Sequence, residues 1–385
     1  MRIVSQAGGR IEAPAGEARV LVDARPLQSA DSVRGIGTYV RGLLSGLIEA
    51  GFDERTALLV DSALPAPELP ASKFVAYGFR RRFRGRLGIL EEATTVGSRL
   101  ERIRPALYHA TTLALPARSP VPVVATLHDL IPWALGGPAM RGERLRWWPG
   151  RRLLRRTNLV LAVSEATAAD ARRLARVSSS RIVVVPEGLG PGFRPAGGAA
   201  ERVRVRHQLQ RPYLLYVGSL DARKEPESLL RAWAVARAAG ADVDLVLAGA
   251  PGAQAPSDMG EARRLGYQEH SELVDLYSAA ACLVFASRYE GFGLPLLEAM
   301  GCGCPAVAFR NSSLPEVADG AAVLVEDGDV EALGRAAAEI VMQPSRAAEL
   351  RRRGLARARR FTWRRTADET IAAYEAVMAS GRSRD

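Results

Sequence analysis

The 385 residues include 53 lysines and arginines against 42 aspartates and glutamates, a formal net charge of +11, with 48% hydrophobic and 25% charged residues. That length exceeds one ordinary core and suits two domains of about 150–200 residues each. The composition is that of a soluble globular protein, and no apolar run reaches the ~18 residues that would argue for a membrane-spanning helix.

Met1 to Ala18 lacks a continuous apolar core, so no secretory signal is expected and the expected compartment is the cytoplasm. The first clear strand is Ala18 to Asp23. A loop ending in Arg34-Gly35-Ile36-Gly37 then runs into an amphipathic helix through Ile48. Gly35 and Gly37 permit close backbone approach to a ligand, but the third glycine of a dinucleotide fingerprint is missing, which argues against a nicotinamide site. Residues 50 to 105 are less legible. Further strands are expected at Ala106–His109, Val121–Leu127 and Leu159–Val163, alternating with helical segments, and such alternation implies a parallel sheet. His128 and Asp129 follow the second of these, at the edge where open α/β sheets bind ligands. Ser164, three residues before Thr167, reads as a helix cap.

Only Lys73 and Lys224 are lysines, so nearly all the positive charge is arginine. Arginines cluster from Arg80 to Arg86 and from Arg141 to Arg156, the latter enclosing Trp147 and Trp148. Two readings of the second cluster stay open: a peripheral membrane patch and an ordinary solvated helix face.

Pro186 to Pro195, followed by Gly197, is the longest Gly/Pro-rich stretch and reads as an interdomain linker, placing domains at 1–193 and 194–385. The second begins with the strand Tyr213–Val217. Gly218-Ser219-Leu-Asp-Ala-Arg223-Lys224-Glu225 then leads into a helix carrying Leu229, Leu230 and Trp233. Asp242-Val-Asp244 has a metal-site spacing, but it sits at the N-terminal end of strand Leu245–Ala248, away from the ligand edge, and is not expected to hold a metal. Cys282, Cys302 and Cys304 lack metal-ligand spacing with histidines and read as buried structural residues.

The most informative segment is Ser287-Arg-Tyr-Glu290-Gly291-Phe292-Gly293-Leu294-Pro295-Leu-Leu-Glu298-Ala-Met-Gly301. A short strand, Ala281–Ala286, precedes it and a helix is expected from Leu294, so the glycines fall at a strand-to-helix junction. Amides of Gly291, Phe292, Gly293 and Leu294 at such a junction, with the positive end of the helix dipole, suit a phosphate. Pro295 agrees with the first helical turn. Glu290 and Glu298 alone could be a turn residue and an exposed helix residue.

With Glu, seven residues and Glu set within E-G-F-G-L-P, this segment resembles the donor-site signature of retaining glycosyltransferases of family 4. His128-Asp-Leu-Ile-Pro132, the Gly218–Glu225 element, Asp23–Leu27, Gly35–Tyr39 and Pro315-Glu-Val317 resemble further parts of that family, in its bacterial mannosyltransferase-like branch. Glu225 departs from the family's usual asparagine, and Ser219 from an arginine found in some branches.

The resemblance implies a GT-B fold: an α/β protein with two Rossmann-like lobes whose parallel sheets face a deep interdomain cleft. It implies a last helix, at about 364–380, crossing back to the first lobe, and lobes that close on the ligand. It implies a retaining, metal-independent hexosyltransferase with an NDP-sugar as substrate and no separate cofactor. His128 is expected beside the transferred sugar, Arg223 and Lys224 on the diphosphate, and Glu290 on sugar hydroxyls. Glu298 is expected on the ribose, with Gly35, Gly37, Gly218, Ser219 and the amides of 291–294 contributing to binding. GDP-mannose is the favoured donor and a UDP-sugar the alternative. The acceptor is a saccharide or a lipid-linked saccharide in cell-surface polysaccharide or glycoconjugate synthesis, and the location is cytoplasmic, at the inner face of the membrane if the Arg-Trp cluster binds lipid.

Two other readings compete: another two-lobed nucleotide-sugar enzyme such as an epimerase, and a basic protein that binds nucleic acid or another anionic surface. The dispersed arginines and lack of a nucleic-acid motif disfavour the latter, so no nucleic-acid partner is expected.

Overall fold

A computed structural model describes residues 2–5, 19–29, 32, 34–80, 85–138, 140–250, 252 and 259–382. Most of the N-terminal segment read for a secretory signal, residues 1 and 6–18, and most of the Arg80–Arg86 cluster lie outside them. The chain divides into two compact units, 1–188 with 362–385, and 189–361.

The first unit is built on a parallel sheet of eight strands: β1 (Arg2–Ser5), β2 (Val20–Asp23), β3 (Thr56–Asp61), β4 (Val75–Phe79), β5 (Leu107–Ala110), β6 (Val123–Leu127), β7 (Leu159–Ala162) and β8 (Ile182–Val184). Their order across the sheet is β1-β4-β3-β2-β5-β6-β7-β8. The fully buried runs of β2, β3, β5, β6 and β7 have the continuous apolar character of strands covered on both faces. Strands β3 and β4 lie in the stretch that was least legible from sequence. The last helix, Trp363–Arg382, belongs to this unit and packs on the helix Gly35–Glu49.

In the second unit six parallel strands, β9 (Tyr213–Val217), β10 (Asp244–Ala248), β11 (Arg263–Gly266), β12 (Cys282–Phe285), β13 (Ala306–Phe309) and β14 (Val323–Val325), lie in the order β11-β10-β9-β12-β13-β14. Strand order reverses between β9 and β12 here, and between β2 and β5 in the first unit. At such switch points the loops leaving the carboxyl ends of the two strands diverge to opposite faces and open a crevice for ligands. Both loops leaving β9 and β12 carry the residues singled out above.

The cysteines are buried, and burial pushes the thiols of Cys302 and Cys304 up to about 12, so they stay protonated. Asp242 and Asp244 both pair with Arg211, at 3.2 and 2.8 Å.

Candidate active site

In the second unit the site is assembled from the loops after β9 and β12. The turn Ala222–Lys224 brings Lys224 under the signature, where its ammonium donates to Glu290 Oε1. Arg223 Nη1 lies 3.4 Å from the same carboxylate and 3.3 Å from the Tyr289 carbonyl. Lys224 is 5% and Glu290 8% exposed, so both charges are largely removed from water. Burial brings the Lys224 ammonium below its ordinary range, with Glu290 opposing it. Burial works to raise the Glu290 carboxyl, but Lys224 and then Arg223 outweigh it and hold the group below its usual value. The pair is therefore ionised: one carboxylate balancing a buried ammonium and a half-buried guanidinium.

Glu290 is fixed by its backbone as well. Its N–H donates to Ser312 Oγ at 2.9 Å, and the Ser313 hydroxyl donates to the carbonyls of Glu290 and Phe292 at 3.1 and 2.7 Å. Asn311 Nδ2 donates to the Ser287 carbonyl at 3.0 Å. Sequence reasoning singled out Pro315–Val317 but missed the grip of the three residues 311–313 on the signature. The available sign was three small polar residues immediately before Leu314-Pro315, where a helix begins.

The helix after the signature runs Leu294–Gly301 with Pro295 in its first turn, and no side chain caps its first amides. Gly293 ends the loop at φ +102°, and a Cβ there would lie 2.9 Å from Leu314 Cδ2, so backbone conformation and space both select glycine. Pro295 has no N–H and Leu296 N–H donates to the Gly293 carbonyl at 3.0 Å, so the helix start offers an anion the Leu294 N–H and the positive end of the dipole. One turn further, Glu298 Oε2 accepts a 2.9 Å hydrogen bond from the Tyr277 hydroxyl. Tyr277 is fully buried, and burial, then Glu298, raise its phenol far above the ordinary value, so it acts as a donor. Tyr277 was missed because a tyrosine on a helix carries no sign of a partner 21 residues away. Tyr277→Phe should weaken nucleotide binding about 5- to 10-fold, the worth of about 1–1.4 kcal/mol, and leave kcat within about twofold; titration calorimetry with the nucleotide checks it.

Two expected binding groups already have partners. The Gly218 N–H donates to the Ala248 carbonyl at 2.9 Å, and the Ser219 hydroxyl donates to Asp221 at 2.6 Å. Glu225 adopts a left-handed conformation, φ +51°, a region asparagine enters with less strain, and its carboxylate accepts from Ser228 and faces Arg288 at 3.7 Å.

In the first unit, His128 leaves the end of β6. Its Nε2 lies 3.1 Å from the Thr111 carbonyl, and a carbonyl only accepts, so Nε2 carries the proton. Nδ1 faces Glu187 Oε1 at 3.4 Å, and the Tyr39 ring meets the imidazole edge-on at a centroid distance of 4.8 Å. Tyr39 is tied through its hydroxyl to Thr126 at 2.8 Å, and Thr126 to His109 at 2.7 Å. Burial depresses His109 to about 3, so it is a neutral structural histidine. Gly35 and Gly37 occupy the first turn of helix Gly35–Glu49, behind an extended Arg34 that offers no side-chain cap. The structure thus brings Arg223, Lys224, Glu290 and the 291–294 turn together in the second unit, with Glu298 one turn on. His128 lies in the first unit, and Glu187 beside it was hidden in the presumed linker.

Residues 33–191 match the family model described as Glycosyltransferase Family 4, and residues 199–359 the one described as Glycosyl transferases group 1. The O-antigen chain mannosyltransferase B of Escherichia coli is 31% identical over 283 residues, covering 70% of this chain and 74% of that protein. The chain belongs to glycosyltransferase family 4. This family-4 chain spans about half the length of other curated relatives it matches, 49% and 54% in two cases. Sucrose-phosphate synthase from Thermosynechococcus elongatus superposes with a TM-score of 0.76 at 22% identity, covering 94% of this chain and all of that one. Anabaena Alr3699/HepE, solved in complex with UDP-glucose, gives 0.70 at 17% identity with 94% and 100% covered. The family-4 chain has the GT-B fold.

Proposed function

We propose that the protein is a retaining hexosyltransferase that moves mannose from GDP-mannose to a saccharide or lipid-linked acceptor in cell-surface polysaccharide synthesis. The observation that carries this reading is the buried Lys224–Glu290–Arg223 cluster beside an uncapped helix start. Breaking a sugar–diphosphate bond develops negative charge on the leaving group and positive charge on the sugar. Lys224, Arg223 and the first-turn amides supply fixed positive charge for the first without requiring a metal. Glu290 supplies a hydroxyl acceptor for the sugar, and Glu298 one for the ribose. His128 is assigned to the transferred sugar, and acceptor attack on the same face as the leaving phosphate gives retention.

Mannose is favoured by likeness to the mannosyltransferase relative; a UDP-sugar is the alternative, since HepE was solved with UDP-glucose. Acceptor-dependent NDP release from a panel of GDP-, UDP-, ADP- and dTDP-sugars tests the reading. Release with one donor only when an acceptor is present supports transfer, whereas conversion of the donor sugar without acceptor supports an epimerase and contradicts the proposal.

The acceptor reading extends to a membrane surface. No described helix is long and apolar enough to cross a membrane. Helix Arg141–Leu153 nevertheless exposes Leu145 and Trp148, at 63% and 48%, with Arg146 stacked on Trp147 and Arg152 on Trp148. Guanidinium groups beside exposed apolar rings suit an anionic lipid interface. The protein should co-sediment with vesicles containing phosphatidylglycerol but not with phosphatidylcholine alone, and Leu145→Ser/Trp148→Ser should reduce that binding at least ~5-fold. Equal sedimentation of wild type and variant would remove this helix from the account.

A further inference from the structure

We infer that Glu187 is a positioning residue that acts through His128, an inference that rests on the assignment of His128 to the transferred sugar. Glu187 is 4% exposed, and its Oε2 is buried without a hydrogen-bond partner among the described residues, while Oε1 faces His128 Nδ1 at 3.4 Å. A carboxylate in that situation is expensive, because it has given up water and regained little.

The loop around it is built to hold it there. The Pro186 carbonyl accepts a 2.8 Å hydrogen bond from Thr366 Oγ1. On the other side Gly188 lies so close to the start of the last helix that a Cβ would stand 2.4 Å from the Trp363 backbone nitrogen. Both anchors belong to helix Trp363–Arg382, so that helix fixes the carboxylate.

The imidazole is correspondingly held on three sides. Its Nε2–H is spent on the Thr111 carbonyl, the Tyr39 ring closes one edge, and only Nδ1 remains to meet the carboxylate. Two acceptors in the same place repel, so a proton lies between Nδ1 and Oε1 whenever the contact is attractive. Glu187 therefore fixes the ring's rotation and the hydrogen-bonding role of Nδ1.

The test uses the full chain with Glu187→Gln, His128→Asn and the double variant. Glutamine keeps the shape, cannot ionise and can donate to Nδ1 through its amide. Glu187→Gln is expected to raise Tm by ~2–4 °C and lower kcat at least ~10-fold with donor KM little changed. In the His128→Asn background it should lower kcat no further, the non-additivity of residues that act as one unit. An effect on kcat that is equal in both backgrounds, or a fall in Tm that parallels the loss of activity, would overturn the inference. A readout free of catalysis separates this from failure of the functional assignment. Long-range 15N–1H spectra resolve the rings of the four histidines, and Glu187→Gln should shift His128 Nδ1 while Nε2 stays protonated. An unmoved Nδ1 resonance would overturn the inference even if no donor sugar were ever found.

Discussion

Replacing Lys224 by alanine is expected to slow transfer by about 10²–10³-fold, the usual consequence of removing one preorganised group that stabilises developing negative charge. The ammonium is 5% exposed and stands against Glu290 over the Phe285 ring, 5.1 Å from its centroid. The same change leaves Glu290 with the longer contact to Arg223 and the Ser287 hydroxyl, and breaking a buried pair from one side costs about 3–5 kcal/mol. A lower rate could therefore reflect a loosened fold. Lys224→Met/Glu290→Gln separates the two effects, because it removes both charges and replaces them with groups of similar volume. Its Tm should recover most of the loss while its rate falls well below that of Glu290→Gln alone, and a rate equal to that single variant's would show that Lys224 serves the fold alone.

The second large effect is expected at Glu290, and it runs in opposite directions for two ligands. The carboxylate neutralises Lys224 and Arg223, so on the proposed reading it competes with a diphosphate for the same cations while offering an acceptor to the sugar. Glu290→Gln should bind the sugar-free nucleoside diphosphate about tenfold more tightly, a gain of about 1.4 kcal/mol, and lose at least about 10²-fold in transfer. Titration calorimetry with the nucleoside diphosphate and with the intact donor checks both arms. Weaker binding of both ligands would mean that Glu290 acts on the fold of the loop and not on the balance of charge.

Much of this site was legible because its signals are local. The glycines of the signature, Pro295 in the first turn and the strand before them sit within about twenty residues, and the strand-to-helix junction appears at Phe285 and Leu294. His128 was legible for a similar reason, as a polar residue directly after a buried strand. What escaped notice depends on contacts between distant segments. Ser313 holds the Glu290 and Phe292 carbonyls from more than twenty residues away, and Tyr277 meets Glu298 across two helices. Glu187 was read as part of a Gly/Pro-rich linker, because composition reports chain stiffness and says nothing of a carboxylate held under a histidine by a helix 180 residues on. Strands β3 and β4 fell in the region where no motif set a register, although β3 is buried along its whole length.

The central claim is that the second unit binds a nucleoside diphosphate through the 291–294 turn and Glu298. The most direct measurement is Tm against GDP, UDP, ADP and dTDP for the wild type and for Glu298→Ala. A ligand at about 100 times its dissociation constant adds about 2.7 kcal/mol of stability. The account predicts an upward shift with one nucleotide that largely disappears in the variant, whereas no shift with any of them in a folded sample, or an equal shift in both proteins, would contradict it.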